Sequence, residues 1–347
     1  MNRLKVALSD SIASGHGLND DSTSDRPSGC RRSQGAYPHK VVDRLRARGL
    51  TVNFPLAHFL ACSGASVQPA DPLLHPYRWL RNQVEAARAQ IATLPADRPV
   101  LISISIGAND YLWAPAFLQF FQSDDAGFRR SMTIRGAEVR QAVAAEIEPL
   151  RTLPNVAVVF TEYADPFNPE SIFFPRSDQL CPQPRPCHAR TVLAVDLLNQ
   201  ALANAVEDID APERIVITDG LPSAFRGHEA PRPGCGGEAP DVAETWIQYP
   251  ADPASISYPF ADLDTWQRTA LLDLVGSESP DDWRGDCLHP NEQGADAYAA
   301  AVVDAALPIM ASCLTPSGTY ATVPPGIPGS MSPNRAATAS ANQETAP

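Results

Sequence analysis

Apolar runs of strand length alternate with amphipathic stretches of helical length along most of the chain. β-Branched and aliphatic residues gather at Leu4 to Ser9, Val52 to Leu60, Val100 to Ile106, Val156 to Thr161 and Arg214 to Thr218. Short, nearly continuous apolar runs of this kind predict strands buried on both faces. Helical spacing predicts helices at Tyr37 to Arg48, Asn82 to Leu94, Ile134 to Leu150, Arg190 to Glu207 and Asn291 to Leu307. The alternation predicts an α/β protein: a three-layer α/β/α sandwich around a doubly wound, parallel, five-stranded sheet spanning residues 1–313. Right-handed crossovers then place ligands beyond the carboxyl ends of the strands.

Two regions break the pattern. Residues 220–285 are rich in Pro, Gly, Trp and Tyr, with one predicted helix near Leu263 to Val275. An excursion of that length beside a compact sheet is more often functional than accidental. Residues 314–347 are dominated by Pro, Ser, Thr, Ala and Gly without an apolar period, so burial does not offset their ordering entropy, and a disordered tail is expected.

The 347 residues are 44% apolar and 19% charged, enough for a substantial core. A net charge of -13 without a basic run excludes a phosphate-reading nucleic-acid binder. No apolar stretch is expected to reach the roughly 20 residues that a membrane-spanning helix requires. The start, Met1 to Leu8, reads directly as a strand rather than a signal peptide, so the protein is either cytoplasmic or exported with its signal removed. Seven cysteines, several near turn residues, favour export. Cys181 and Cys187 bracket a Pro-rich loop that a disulfide would close, and the rival metal site with His188 lacks a second ligand pair. Cys313 is the expected odd thiol.

Four segments carry candidate chemistry. The first strand runs into Ser9-Asp10-Ser11, followed by a loop containing Gly15-His16-Gly17. Asp20 stands where a dinucleotide fingerprint needs its third glycine, which argues against a nucleotide-binding loop. Cys62-Ser63-Gly64-Ala65 follows the second strand and Gly107-Ala108-Asn109-Asp110 the third, so both reach the same rim. The backbone N-H groups of Ser11 and Gly64, with the Asn109 carboxamide, form a candidate oxyanion hole. Taken singly, each of these residues is an ordinary strand-ending turn residue. Asp286-Cys287-Leu288-His289-Pro290 precedes the closing helix, and of seven histidines His289 alone has a carboxylate three residues before it. That spacing lets Asp286 orient one ring nitrogen while the other faces a serine.

Together, in this order, the four segments resemble the blocks of the SGNH or GDSL hydrolase superfamily, especially its secreted bacterial esterase and lipase branch, over about residues 4–307. The resemblance implies a flavodoxin-like strand order and an esterase or lipase that uses no cofactor or metal. It implies Ser11 as nucleophile supported by Asp10, an oxyanion hole of Ser11, Gly64 and Asn109, His289 as base and Asp286 as its orienting acid. It also implies a Cys30–Cys62 disulfide and export, with Cys235–Cys287 as a third pair beside Cys181–Cys187. The family carries glycine where this chain has Ser9, so a turn needing a glycine-only φ would be strained or altered here.

The expected substrate is a small-molecule or lipid ester acted on by a monomer. A phospholipase, a carbohydrate acetyl esterase or a catalytically disabled binding module are the alternatives. Tyr111, Leu112, Trp113, Phe117 and the stretch Trp246 to Phe260 are candidates for an acyl pocket or a mobile lid, and equally for core.

Overall fold

The computed structural model describes residues 2–18, 30–68, 76–112, 124–153, 155–166, 184–229, 246–247 and 289–313. Asp286, Cys181, Cys235, Cys287, the predicted helix at Leu263 to Val275 and the expected tail lie outside them.

Five strands form one parallel sheet: β1 (Arg3–Ser9), β2 (Val52–Asn53), β3 (Val100–Ser105), β4 (Val156–Phe160) and β5 (Ile215–Ile217), in the order β2-β1-β3-β4-β5. The helices are α1 (Ser11–Ser14), α2 (Tyr37–Ala47), α3 (Leu80–Ile91), α4 (Ala108–Leu112), α5 (Asp125–Arg151), α6 (Pro184–Ile209), α7 (Leu221–Phe225) and α8 (Glu292–Cys313).

Alternation within β1 explains the two outer layers. Leu4, Val6 and Leu8 enter one core with Val84 and Ile91 of α3, Val143 and Ile147 of α5, and Leu198 and Leu202 of α6. Ala7, on the other face, packs in a second core with Val41 and Leu45 of α2 and with Tyr298, Val302 and Ala306 of α8. Lys5 shares that second direction yet is fully buried. Its Nζ donates to the Val6 carbonyl at 2.6 Å and to Ser103 Oγ at 2.5 Å, and burial holds its pKa well below the ordinary lysine value.

Three elements depart from expectation for identifiable reasons. The second strand ends at Asn53, because Pro55 has no N-H to give a ladder and a 3-10 turn follows at Leu56–His58. The chain rejoins β1 beyond that turn, through a bridge between Phe59 and Ala7 and the N-H of Cys62 on the Ser9 carbonyl. Helix α5 begins nine residues before the predicted Ile134, at Asp125, where Asp124 caps it by accepting from Gly127 N-H at 2.6 Å. Pro184 opens α6, so Cys187 stands in a helical first turn rather than a loop.

Helix α8 is long and apolar enough over Glu292–Ala311, with a mean hydropathy of 1.3, to cross a membrane by length and composition. Half of that stretch is buried, and its Ala-rich face completes the second core. The expectation of no sufficiently apolar stretch is corrected to that extent, since the same composition serves a core helix.

Candidate active site

The strand order reverses between β1 and β3, and both carboxyl ends open onto the candidate site. Asp10 N-H extends the β1–β3 ladder by donating to the Ser105 carbonyl at 3.0 Å. The chain then turns directly into α1, whose N-cap is Asp10: its Oδ1 accepts from Ile12 N-H at 3.0 Å. Ser11 thus begins a helical turn at the sheet's edge, half-buried, while its neighbours Ser9 and Asp10 are fully buried. Its hydroxyl has no hydrogen-bond partner among the described residues.

Ser9 adopts φ +93°, a left-handed conformation that glycine takes without strain and a residue with a Cβ does not. Every backbone polar group of Ser9 is held there. Its N-H donates to Gln83 Oε1 in a short contact, and its carbonyl accepts from Cys62 N-H at 2.6 Å and from Gln83 Nε2 at 3.3 Å.

The second loop is tied to the first covalently. Cys30 and Cys62 form the expected disulfide, and Ser63 N-H donates to the Cys30 carbonyl at 2.9 Å. Gly64 follows, exposed at the rim with φ +78°, a turn that suits glycine and leaves its backbone open to a ligand. The third loop grips the second. Asn109 Nδ2 donates to the Ala65 carbonyl at 2.7 Å, and the Asp110 carboxylate accepts from Val67 N-H at 2.9 Å and Gln68 N-H at 3.1 Å. Because Nδ2 carries two hydrogens, the bond to Ala65 orients the carboxamide without exhausting it.

His289 is buried at the head of α8, where Asn291 Oδ1 caps the helix by accepting from Gln293 and Gly294 N-H at 2.9 and 3.0 Å. Its ring lies 4.8 Å, centroid to centroid, from that of His16, and its charge bears on Asp10. Trp246 and Ile247, the described part of the long excursion, sit against this turn: Trp246 accepts from Asn291 N-H at 2.9 Å and Ile247 bridges to Pro290. The indole stacks on His228 with ring centroids 4.0 Å apart.

Burial raises the Asp10 carboxyl to about 7, against the opposing hydrogen bond from the Tyr163 hydroxyl, the Ile12 N-H and the charge of His289. Burial likewise raises Asp110 to about 6, opposed by the N-H groups of Val67 and Gln68. Among the described residues no cluster of three metal-ligating side chains occurs.

The site therefore gathers Asp10 and Ser11, Gly64, Asn109 and His289 from four loops at one rim. Tyr111 does not belong to an acyl pocket: it is fully buried in the first core, its hydroxyl donating to the Met132 carbonyl at 2.5 Å. Trp113 and Phe117 lie outside the described residues, as do the side chains of Leu112, Cys187 and Cys313.

Three residues were not anticipated from sequence. Tyr163 donates to Asp10, while His16 pairs through Nδ1 with Ser63 Oγ at 2.7 Å and through Nε2 with Arg31 at 2.8 Å. Gln83 could have been found: it is the polar residue in the buried stripe Leu80, Gln83, Val84, Ala87, Ile91 of α3.

Among known proteins, the solved structure of phospholipase A1 from Streptomyces albidoflavus NA297 shares the fold, with a TM-score of 0.51 and 18% identity over 88% of this chain and 100% of that one. An extracellular lipase from Streptomyces rimosus gives a TM-score of 0.46 and 19% identity over 88% of this chain and 99% of that one. No curated protein sequence matches the chain. The family model of the GDSL-like lipase/acylhydrolases matches residues 10–297. Since that span takes in the turns around Ser11, Gly64, Asn109 and His289 alike, the chain belongs to the GDSL-like lipase/acylhydrolase family.

Proposed function

We propose that the protein is a serine carboxylic ester hydrolase that works through an acyl-enzyme on Ser11. The observation that carries this reading is the interlock at the sheet's switch point. Ser11 stands at the start of α1, Gly64 in a left-handed turn, and Asn109 is bonded to the residue after Gly64, so three potential oxyanion donors are held on one frame.

In this reading Ser11 Oγ attacks the ester carbonyl carbon as its proton passes to His289, which Asp286 orients. The tetrahedral oxyanion is held by the N-H groups of Ser11 and Gly64 and by Asn109 Nδ2. Collapse breaks the ester C-O bond, and the leaving alcohol takes the proton from His289. Water then attacks the acyl-enzyme, gives its proton to His289, and frees the acid and Ser11. The residues need no metal or cofactor for these steps. A lipid ester is the substrate class we favour, and the Cys30–Cys62 disulfide supports action outside the cell.

The test is turnover of short- and long-acyl p-nitrophenyl esters by the full chain beside Ser11→Ala. Turnover that vanishes in the variant supports the mechanism, and the chain-length preference ranks lipid against acetyl esters. A wild-type chain that neither turns over esters nor is labelled at Ser11 by a fluorophosphonate would make a disabled binding module the better reading.

A further inference from the structure

Gln83 is fully buried in α3, 74 positions along the chain from Ser9, yet its carboxamide meets both backbone groups of that residue. The carboxamide has one orientation. Ser9 N-H requires an acceptor, which only Oε1 provides, and the carbonyls of Ser9 and Tyr77 require donors, which the two Nε2 hydrogens provide at 3.3 and 2.5 Å. Ser9 meanwhile stands at φ +93°, which a residue with a Cβ disfavours, and its hydroxyl is buried without a partner among the described residues. The side chain of Ser9 thus contributes nothing that would hold the turn. The next residue, Asp10, caps α1 and the one after it is Ser11, so the Ser9 backbone sets the direction in which Ser11 leaves the sheet.

We propose that Gln83 is the positioning residue of the nucleophile turn, clamping the Ser9 backbone in its left-handed conformation so that Ser11 faces the Gly64 and Asn109 loops. It touches neither substrate nor reacting atoms and acts through Ser9. The assignment rests on Ser11 as nucleophile for its catalytic readout, but the clamp itself is readable without catalysis.

The experiment compares wild type, Gln83→Met, Ser9→Gly and the double variant, with kcat expressed per site titrated by a fluorophosphonate, and with crystal structures reporting φ at residue 9. Gln83→Met is expected to lower kcat roughly 5- to 30-fold, the rate equivalent of a left-handed Cβ residue, with KM within about twofold. Glycine takes the turn unaided, so Ser9→Gly/Gln83→Met is expected to lie within about threefold of Ser9→Gly. A folding defect from the buried substitution is common to both Gln83→Met chains and leaves their ratio intact. Retention of positive φ at Ser9 in Gln83→Met, or an equal loss of kcat in the glycine background, would overturn the proposal. If the wild type is inert toward esters and fluorophosphonate, the hydrolase reading falls and φ at residue 9 still decides the clamp.

Discussion

Single side chains decide the geometry of this rim, and Asn109 shows how. One hydrogen of its carboxamide is engaged by the Ala65 carbonyl, and in the proposed mechanism the other meets the developing oxyanion. Asn109→Ala is expected to leave a folded chain whose kcat is down by about 100- to 1,000-fold, the usual cost of one oxyanion donor. Loss of the Ala65 bond would add a small drop in thermal midpoint, and kcat near the wild-type value would remove Asn109 from the mechanism. The placement of Ser11, Gly64, Asn109 and His289 at the rim was legible in sequence because each follows a strand or precedes a helix, so chain position alone carries it there. Tyr163 was not, and Gln83 was legible only as a polar residue in a buried stripe, because each acts on the first loop from more than 70 residues away and no local spacing reports such contacts.

Elements carry the next level of order. The apolar runs of β1, β3 and β4 were readable because both faces of those strands are buried, so apolar residues fill nearly every interior position, the bonded pair Lys5 and Ser103 excepted. The edge strand β2 was overread, since Phe54 and Phe59 continue an apolar run that Pro55 divides. What β2 fails to hold by pairing, the disulfide holds covalently. Cys30–Cys62 closes a 32-residue separation, and chain-entropy arithmetic assigns such a loop about 4 kcal/mol of stability. Cys30→Ala/Cys62→Ala should lower the denaturant midpoint accordingly and raise the susceptibility of the Gly64 loop to proteolysis. An unchanged midpoint would mean that the hydrogen bonds of Cys62 and Ser63 suffice to hold the loop.

At the scale of the whole molecule, the buried carboxyls give stability a direction with pH. Asp10 and Asp110 are raised in the folded chain, to about 7 and about 6, from an unfolded value near 4. Between those limits the folded state holds protons that the unfolded state has released, so these two groups make stability fall as pH rises from about 4 to about 7. Asp10→Asn keeps the cap through its one oxygen and turns Nδ2 toward the Tyr163 hydroxyl as a donor, while removing the titration. Its thermal midpoint should depend less on pH between 5 and 8 than that of wild type, with the variant gaining most at pH 8. A slope as steep as that of wild type would place the raised carboxyl elsewhere.

The order of segments along the chain also sets a schedule during synthesis. Ser11, Gly64 and Asn109 are translated at least 180 residues ahead of His289 and of the helix that completes the second core. In the proposed mechanism, a nascent or prematurely terminated chain therefore displays Ser11, Gly64 and Asn109 without His289, and with its second core incomplete. Hydrolytic competence and structural completion arrive together with α8, so unfinished chains should be inert toward esters for the same reason that they are prone to degradation.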